Sequence, residues 1–155
     1  MSVRPPRIED VPQIARVHVD SWRSTYPRIV PEDILAAMSY EDFEARWRSW
    51  LGGEFGMYGT LYAYVAELPT GEIVGFASGG PRQEESHHPE YESELYTAYL
   101  LREHQRRGLG RRLLGAVAGG LLADGKRSCS HGSWPRVPRG LCTKPQEVSY
   151  SAVKI

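Results

Sequence analysis

The run Gln105-Arg106-Arg107-Gly108-Leu109-Gly110 lies between a strand-like stretch and a helix-like one. Two glycines in such a turn leave several backbone N–H groups unpaired at the positive end of the helix. That is an anion site, and it suits a pyrophosphate. Arg106, Arg107, Arg111 and Arg112 bring positive charge to it. It is not a P-loop, because no Gly-Lys-Ser/Thr follows. It is not a dinucleotide fingerprint either, since Leu113 stands at the third glycine position. Taken alone, these residues suit a simple helix cap equally well. Metal chemistry is not expected. His87 and His88 lack further ligands at a sensible spacing, and Cys129, His131 and Cys142 fit no zinc pattern.

The elements that would hold this turn can be read from the apolar spacing. Val11, Ile14, Ala15, Val17, His18 and Trp22 predict a first helix after Asp10, with Pro12 in its first turn and Pro27 at its end. Pro31-Glu32-Asp33 opens a second helix with Ile34, Leu35 and Met38 on its apolar side. Ser39 with Asp42 gives a capping signal for a third, carrying Phe43, Trp47, Trp50 and Leu51 until Gly52 and Gly53 break it. Leu61–Glu67 and Glu72–Ser78 predict a hairpin around Pro69-Thr70-Gly71. A polar acidic loop from Gly79 to Glu90 follows, then a strand over Tyr91–Leu101. Leu109, Leu113, Val117 and Leu121 recur every four residues and form one face of a last helix. The order of helices, hairpin, strand and last helix predicts a single α/β or α+β domain.

With 155 residues, 41% of them hydrophobic and 10% aromatic, the chain can bury a core and is not a disordered one. Its longest uncharged apolar stretch, Leu113–Ala123, is too short to span a membrane. The N-terminus has no secretory h-region, so the expected location is the cytoplasm. Formal net charge is zero, but the zero is a cancellation. Residues 1–125 hold thirteen Arg, no Lys and eighteen acids, a net −5, and residues 126–155 hold six cations and one acid, a net +5. No aromatic-interleaved groove accompanies the basic end, so neither nucleic acid nor membrane is expected as a partner.

The Gln-Arg-Arg-Gly-Leu-Gly run, with the strand before it and the helix after it, resembles the Gln/Arg-x-x-Gly-x-Gly/Ala motif of the GNAT superfamily of N-acetyltransferases. The N-terminal half is similar too: His18-Val19-Asp20-Ser21-Trp22, Thr25-Tyr26, Pro31-Glu32 and then the hairpin. The likeness covers about residues 2–128. It implies a mixed, mainly antiparallel sheet flanked by helices, and acetyl-coenzyme A as co-substrate with no metal. It implies that backbone N–H groups of Arg106, Arg107, Gly108, Leu109, Gly110 and Arg111 hold the pyrophosphate, and that Leu100 and Leu101 pair with the pantetheine amides. Family members carry a catalytic Glu eleven residues before the motif's Gln, which here is Glu94. It would take the proton of a primary amine on a small molecule or peptide before attack on the thioester. Tyr96 shares the face of Glu94 by a period of two and, with Trp22 and Tyr26, would line the acceptor pocket. The resemblance leaves a homodimer open.

After Ser128 the resemblance stops. The family's fifth strand, the helix with its proton-donating Tyr and the closing C-terminal strands are missing, and Tyr150 matches nothing around it. Residues 129–155 hold both Cys and two of the three Lys, and predict an irregular basic tail outside the 1–128 domain. An alternative to the enzyme is therefore a coenzyme A-binding module that lacks half of its active site and catalyses nothing. We expect the tail to be translated out of frame or otherwise to replace the native C-terminus. The gene downstream of codon 128, read in its other two frames, should then encode a strand and an aromatic-Tyr-Glu helix. Two frames without them would remove this explanation.

Overall fold

The computed structural model describes residues 1–27, 29–54, 61–82 and 90–131. Helix α1 (Val11–Thr25) is amphipathic, with Val11, Ile14, Val17 and His18 turned inward, and Pro12 sits in its first turn, where a missing N–H costs nothing. Helices α2 (Glu32–Ala37) and α3 (Tyr40–Ser49) follow. The Ser39 hydroxyl accepts from the Asp42 N–H at 3.2 Å, so the capping signal in the sequence is the start of α3. A π-helical turn, Trp50–Glu54, carries α3 onward until Gly53, at φ 94°, leaves the helical region.

The sheet has five strands: β1 (Ser2–Arg4), β2 (Tyr62–Glu67), β3 (Ile73–Pro81), β4 (Ser93–Leu100) and β5 (Cys129–His131). They lie in the order β1-β2-β3-β4-β5, antiparallel except for the parallel pair β4–β5. Helix α4 (Leu109–Ala123) packs on β2, β3 and β4. Helices α1 and α3 cover the opposite face, where Trp47 and Phe76 are buried edge to face. Three differences from the sequence reading concern strands. β1 is three residues long, too short for any periodicity to reveal it. β5 begins at Cys129, where the sequence predicted irregular chain. And β3 continues through Gly79-Gly80 to Pro81, which the sequence placed in a loop.

Side-chain charge, more than apolar pattern, holds β1. Arg4 forks onto Asp10 at 2.7 and 3.0 Å and onto Glu67 of β2 at 2.9 and 3.0 Å. Asp10 also accepts from the Arg7 N–H at 2.7 Å. Its hydrogen bonds from Arg4 keep its carboxyl below the ordinary value, against an opposing push from burial.

The glycines of β3 allow a close approach. A Cβ on Gly79 would lie 2.9 Å from both the Glu94 carbonyl oxygen and Val117 Cγ1 of α4. Beside it the register slips: Ser78 faces Thr97 but Gly79 faces Leu95, so Tyr96 is an extra residue, a bulge in β4. Gly79→Ala is expected to cost about 1–3 kcal/mol through overpacking. Urea unfolding should show a lower midpoint at unchanged slope, and an unchanged midpoint would mean that the bulge can yield.

Candidate active site

The bulge sets which residues meet. Leu95 shares the α4 side of the sheet with its partner Gly79, so its neighbour Glu94 faces the α1/α3 side. In a straight strand Tyr99, five residues on, would face away from Glu94. With the bulge between them it packs against His18 and Phe76 on the same side. Thr97 also lies there, its hydroxyl 2.7 Å from that of Ser78.

Glu94 is buried, at 7% exposure. Near it Tyr96 donates its hydroxyl to the Pro81 carbonyl at 2.5 Å. Burial first, then the charges of Glu94 and Cys129, push the Tyr96 phenol far up, so it keeps its proton. The sequence grouped Trp22, Tyr26 and Tyr96 as one pocket, but hydrogen bonding and ring packing arrange them differently. Trp22 donates its indole N–H to the Tyr99 hydroxyl at 2.8 Å, and Tyr26 packs on Trp22 with ring centroids 5.1 Å apart. Tyr99 is thus the aromatic residue that sequence reasoning missed, since a period of two puts it on the wrong face. Burial raises its phenol to about 12, against the bond from Trp22, and raises Tyr26 as well.

At the far end of β4 the backbone divides its bonds between two edges. The Leu101 N–H donates to the Val74 carbonyl and the Leu101 carbonyl accepts from His104, each at 2.9 Å. Both polar groups of Leu101 therefore bond within the fold. Leu100, one residue earlier, directs its backbone to the other edge, where its carbonyl accepts from Gln105 Nε2 at 3.1 Å. On that edge β5 pairs only with Ser93, Glu94 and Leu95 among the described residues. The Ser93 N–H and hydroxyl both donate to the Ser128 carbonyl, at 3.1 and 2.7 Å, which fastens the two strands where they meet. Beyond Leu95 no described strand pairs with this edge of β4.

The turn then leads into α4. Arg106, at φ 61°, and Gly108, at φ 78°, both have left-handed backbone, with Arg107 between them. Gly108 is the N-cap of α4, no side chain caps it, and a Cβ there would meet nothing within 4 Å. The first helical bond runs from the Arg112 N–H to the Gly108 carbonyl at 3.2 Å. The N–H groups of Leu109, Gly110 and Arg111 precede that bond and point out of the open helix end. Leu109 anchors the turn with a buried side chain, while Arg106, Arg107 and Arg111 are exposed. Arg112, grouped with them by sequence, instead donates to the Met1 carbonyl at 3.2 Å.

Among the described residues no three His, Cys, Asp or Glu side chains are grouped as metal ligands, and no helix is long and apolar enough to cross a membrane. His87, His88, Cys142 and Tyr150 lie outside the described residues.

Residues 16–128 match the Acetyltransferase (GNAT) family. Over 126 residues the chain is 44% identical to the uncharacterized N-acetyltransferase YuaI of Bacillus subtilis (strain 168), covering 81% of this chain and 66% of that protein. The chain thus spans just under two thirds of that relative's length. Its fold is similar to that of the PaiA N-acetyltransferase of Thermoplasma acidophilum in complex with coenzyme A, with a TM-score of 0.66 at 19% identity over 83% of this chain and 76% of that one. It is also similar to a ribosomal-protein-alanine N-acetyltransferase from Brucella melitensis, with a TM-score of 0.60 at 22% identity over 84% and 73%. The match spans the left-handed glycine turn and the helix it opens, and most of the chain besides: the chain belongs to the acetyltransferase (GNAT) family.

Proposed function

We propose that this chain transfers an acetyl group from acetyl-coenzyme A to a primary amine of a small molecule or peptide. The observation that carries the reading is the uncapped start of α4. There, first-turn N–H groups without a side-chain cap and a glycine with open space at its Cβ position lie next to exposed arginines. Such a turn fits a pyrophosphate, because anions are favoured at helix N-termini and only a residue without Cβ lets one come close. The N–H groups from Arg106 to Arg111 would hold it, and the Leu100 edge of β4 would take the pantetheine arm. When bound, acetyl-coenzyme A supplies an acyl carbonyl activated as a thioester.

This chain's own residues supply the rest. Glu94 takes the proton of the acceptor ammonium and so frees the lone pair for attack. Nitrogen then bonds to the acyl carbon as the carbon–sulfur bond breaks, and the proton that this nitrogen sheds goes to the departing thiolate, so the leaving group is the coenzyme A thiol. The sheet edge and the turn hold acyl donor and amine together, which removes much of the entropic barrier. Trp22, Tyr26 and Tyr99 form the acceptor wall on the face of Glu94.

Two variants test the two halves of the site. Gly108→Asp should weaken coenzyme A binding, measured by calorimetry, by on the order of a hundredfold, because it puts an anion at the phosphate position. Unchanged affinity would place the cofactor elsewhere. Glu94→Gln should keep coenzyme A affinity and lower kcat by about 10²–10⁴ for acetylation of an amine panel. Undiminished turnover would remove Glu94 as the base, and coenzyme A binding by the native chain without any turnover would favour the impaired binding module.

A further inference from the structure

His18 is buried in α1, at 7% exposure, and no step above uses it. Its ring is surrounded by aromatic side chains: Phe43 of α3 at 4.2 Å, Tyr99 of β4 at 4.8 Å, Phe76 of β3 at 5.5 Å and Trp22 of its own helix at 6.5 Å between centroids. Its Nδ1 is buried without a hydrogen-bond partner, as is the Ser21 hydroxyl one turn along. A neutral imidazole tolerates this, because one ring nitrogen is then only an acceptor. An imidazolium does not, since it would place a second N–H donor where no acceptor stands.

The charged and titratable groups around the ring make protonation harder still. Tyr99, from β4, keeps its proton and offers no negative charge. Arg46, from α3, lies with its guanidinium 5.3 Å from the Phe43 ring centroid and acts on His18 by like-charge repulsion. β3 contributes Phe76, which is uncharged. Desolvation first, then Arg46, push the imidazole down to about 4.

We propose that His18 in its neutral form is a positioning residue for the acceptor wall, and that acid displaces the Tyr99–Trp22 pair by putting a proton on it. The proposal rests on the reading of that wall as the acceptor side of the site. Tyr99 packs at a tilt against the His18 ring and at the same time accepts the indole N–H of Trp22, so a ring that must rehydrate its charge moves both partners. The sign follows from linkage. The folded-state value lies below the ordinary imidazole value of 6.5, so the unfolded chain takes up the proton first. The stability that neutral His18 contributes is complete above about pH 6.5 and is lost as pH falls toward about 4, a drop on the order of a hundredfold in the folded-to-unfolded ratio.

The experiment uses the whole chain and needs no acceptor. Near-UV circular dichroism of the aromatic cluster is followed from pH 8 down to about pH 2, together with the His18 imidazole resonance. The native chain should lose cluster signal reversibly with the midpoint of that resonance, and His18→Phe should shift the loss lower by about one pH unit or more. His18→Gln, uncharged throughout, serves the same purpose if the Phe variant does not fold. A cluster transition that keeps its midpoint in the folded variant, or an imidazole that titrates near 6.5, overturns the proposal. Calorimetry with coenzyme A at pH 7.5 separates the two readings: failure to bind sinks the proposed function and leaves the His18 transition standing as a property of the fold.

Discussion

Between Ser78 opposite Thr97 and Gly79 opposite Leu95, β4 carries one residue more than β3, and without it Glu94 and Tyr99 would face opposite sides of the sheet. Much else depends on that insertion. It turns a buried carboxylate, a hydroxyl pair and the aromatic cluster of α1 and α3 to a common side. It requires a partner strand without side-chain bulk, which Gly79 provides by admitting both the Glu94 carbonyl and Val117. It also lies beside the described pairing of β4 with β5, which runs from Ser93 opposite Cys129 to Leu95 opposite His131. Among the described residues the strand is thus paired on both edges near Glu94 and on one edge toward Leu100.

The two ends of β4 solve different problems by different means. Near Glu94 the polar groups are side chains, and they are buried. At the turn into α4 the polar groups are backbone, and they face outward, with arginine side chains as a diffuse field around them. A backbone site is insensitive to the identity of most residues in it, and sensitive to any change in the left-handed angles that aim its N–H groups. That division explains why two glycines and a helix start suffice to mark the turn in a sequence, whereas nothing as compact marks the aromatic cluster around His18.

How far the sequence could be read follows the same division. The four helices, the hairpin and the strand before the turn were legible, because each has a long apolar period or a local cap such as Ser39 with Asp42. The turn itself was legible for the same local reasons. Tyr99 was not, because its face depends on a bulge, and the bulge goes with a close approach of Gly79 to β4 and α4 that no local pattern in β4 announces. Gly79 and Gly80 looked like loop for a related reason: glycine signals a turn in isolation and a close approach in context. Arg112 was grouped with its neighbours by sequence distance alone and lies with Met1 instead. β5 was hidden because three residues carry no period, and the family match, like the sequence resemblance, ends at residue 128.

One angle in the turn has an implication for stability. Arg106 adopts φ 61° without being glycine, asparagine or aspartate, a conformation that costs a side chain about 1 kcal/mol. Glycine or asparagine would relieve that strain at once, and any search for a sturdier variant would find one of them early. Either change would also discharge one of the three exposed guanidinium groups around the helix start. The residue is therefore a point of conflict, where robustness of the fold and attraction of an anion cannot both be maximised, and the chain as it stands has kept the charge.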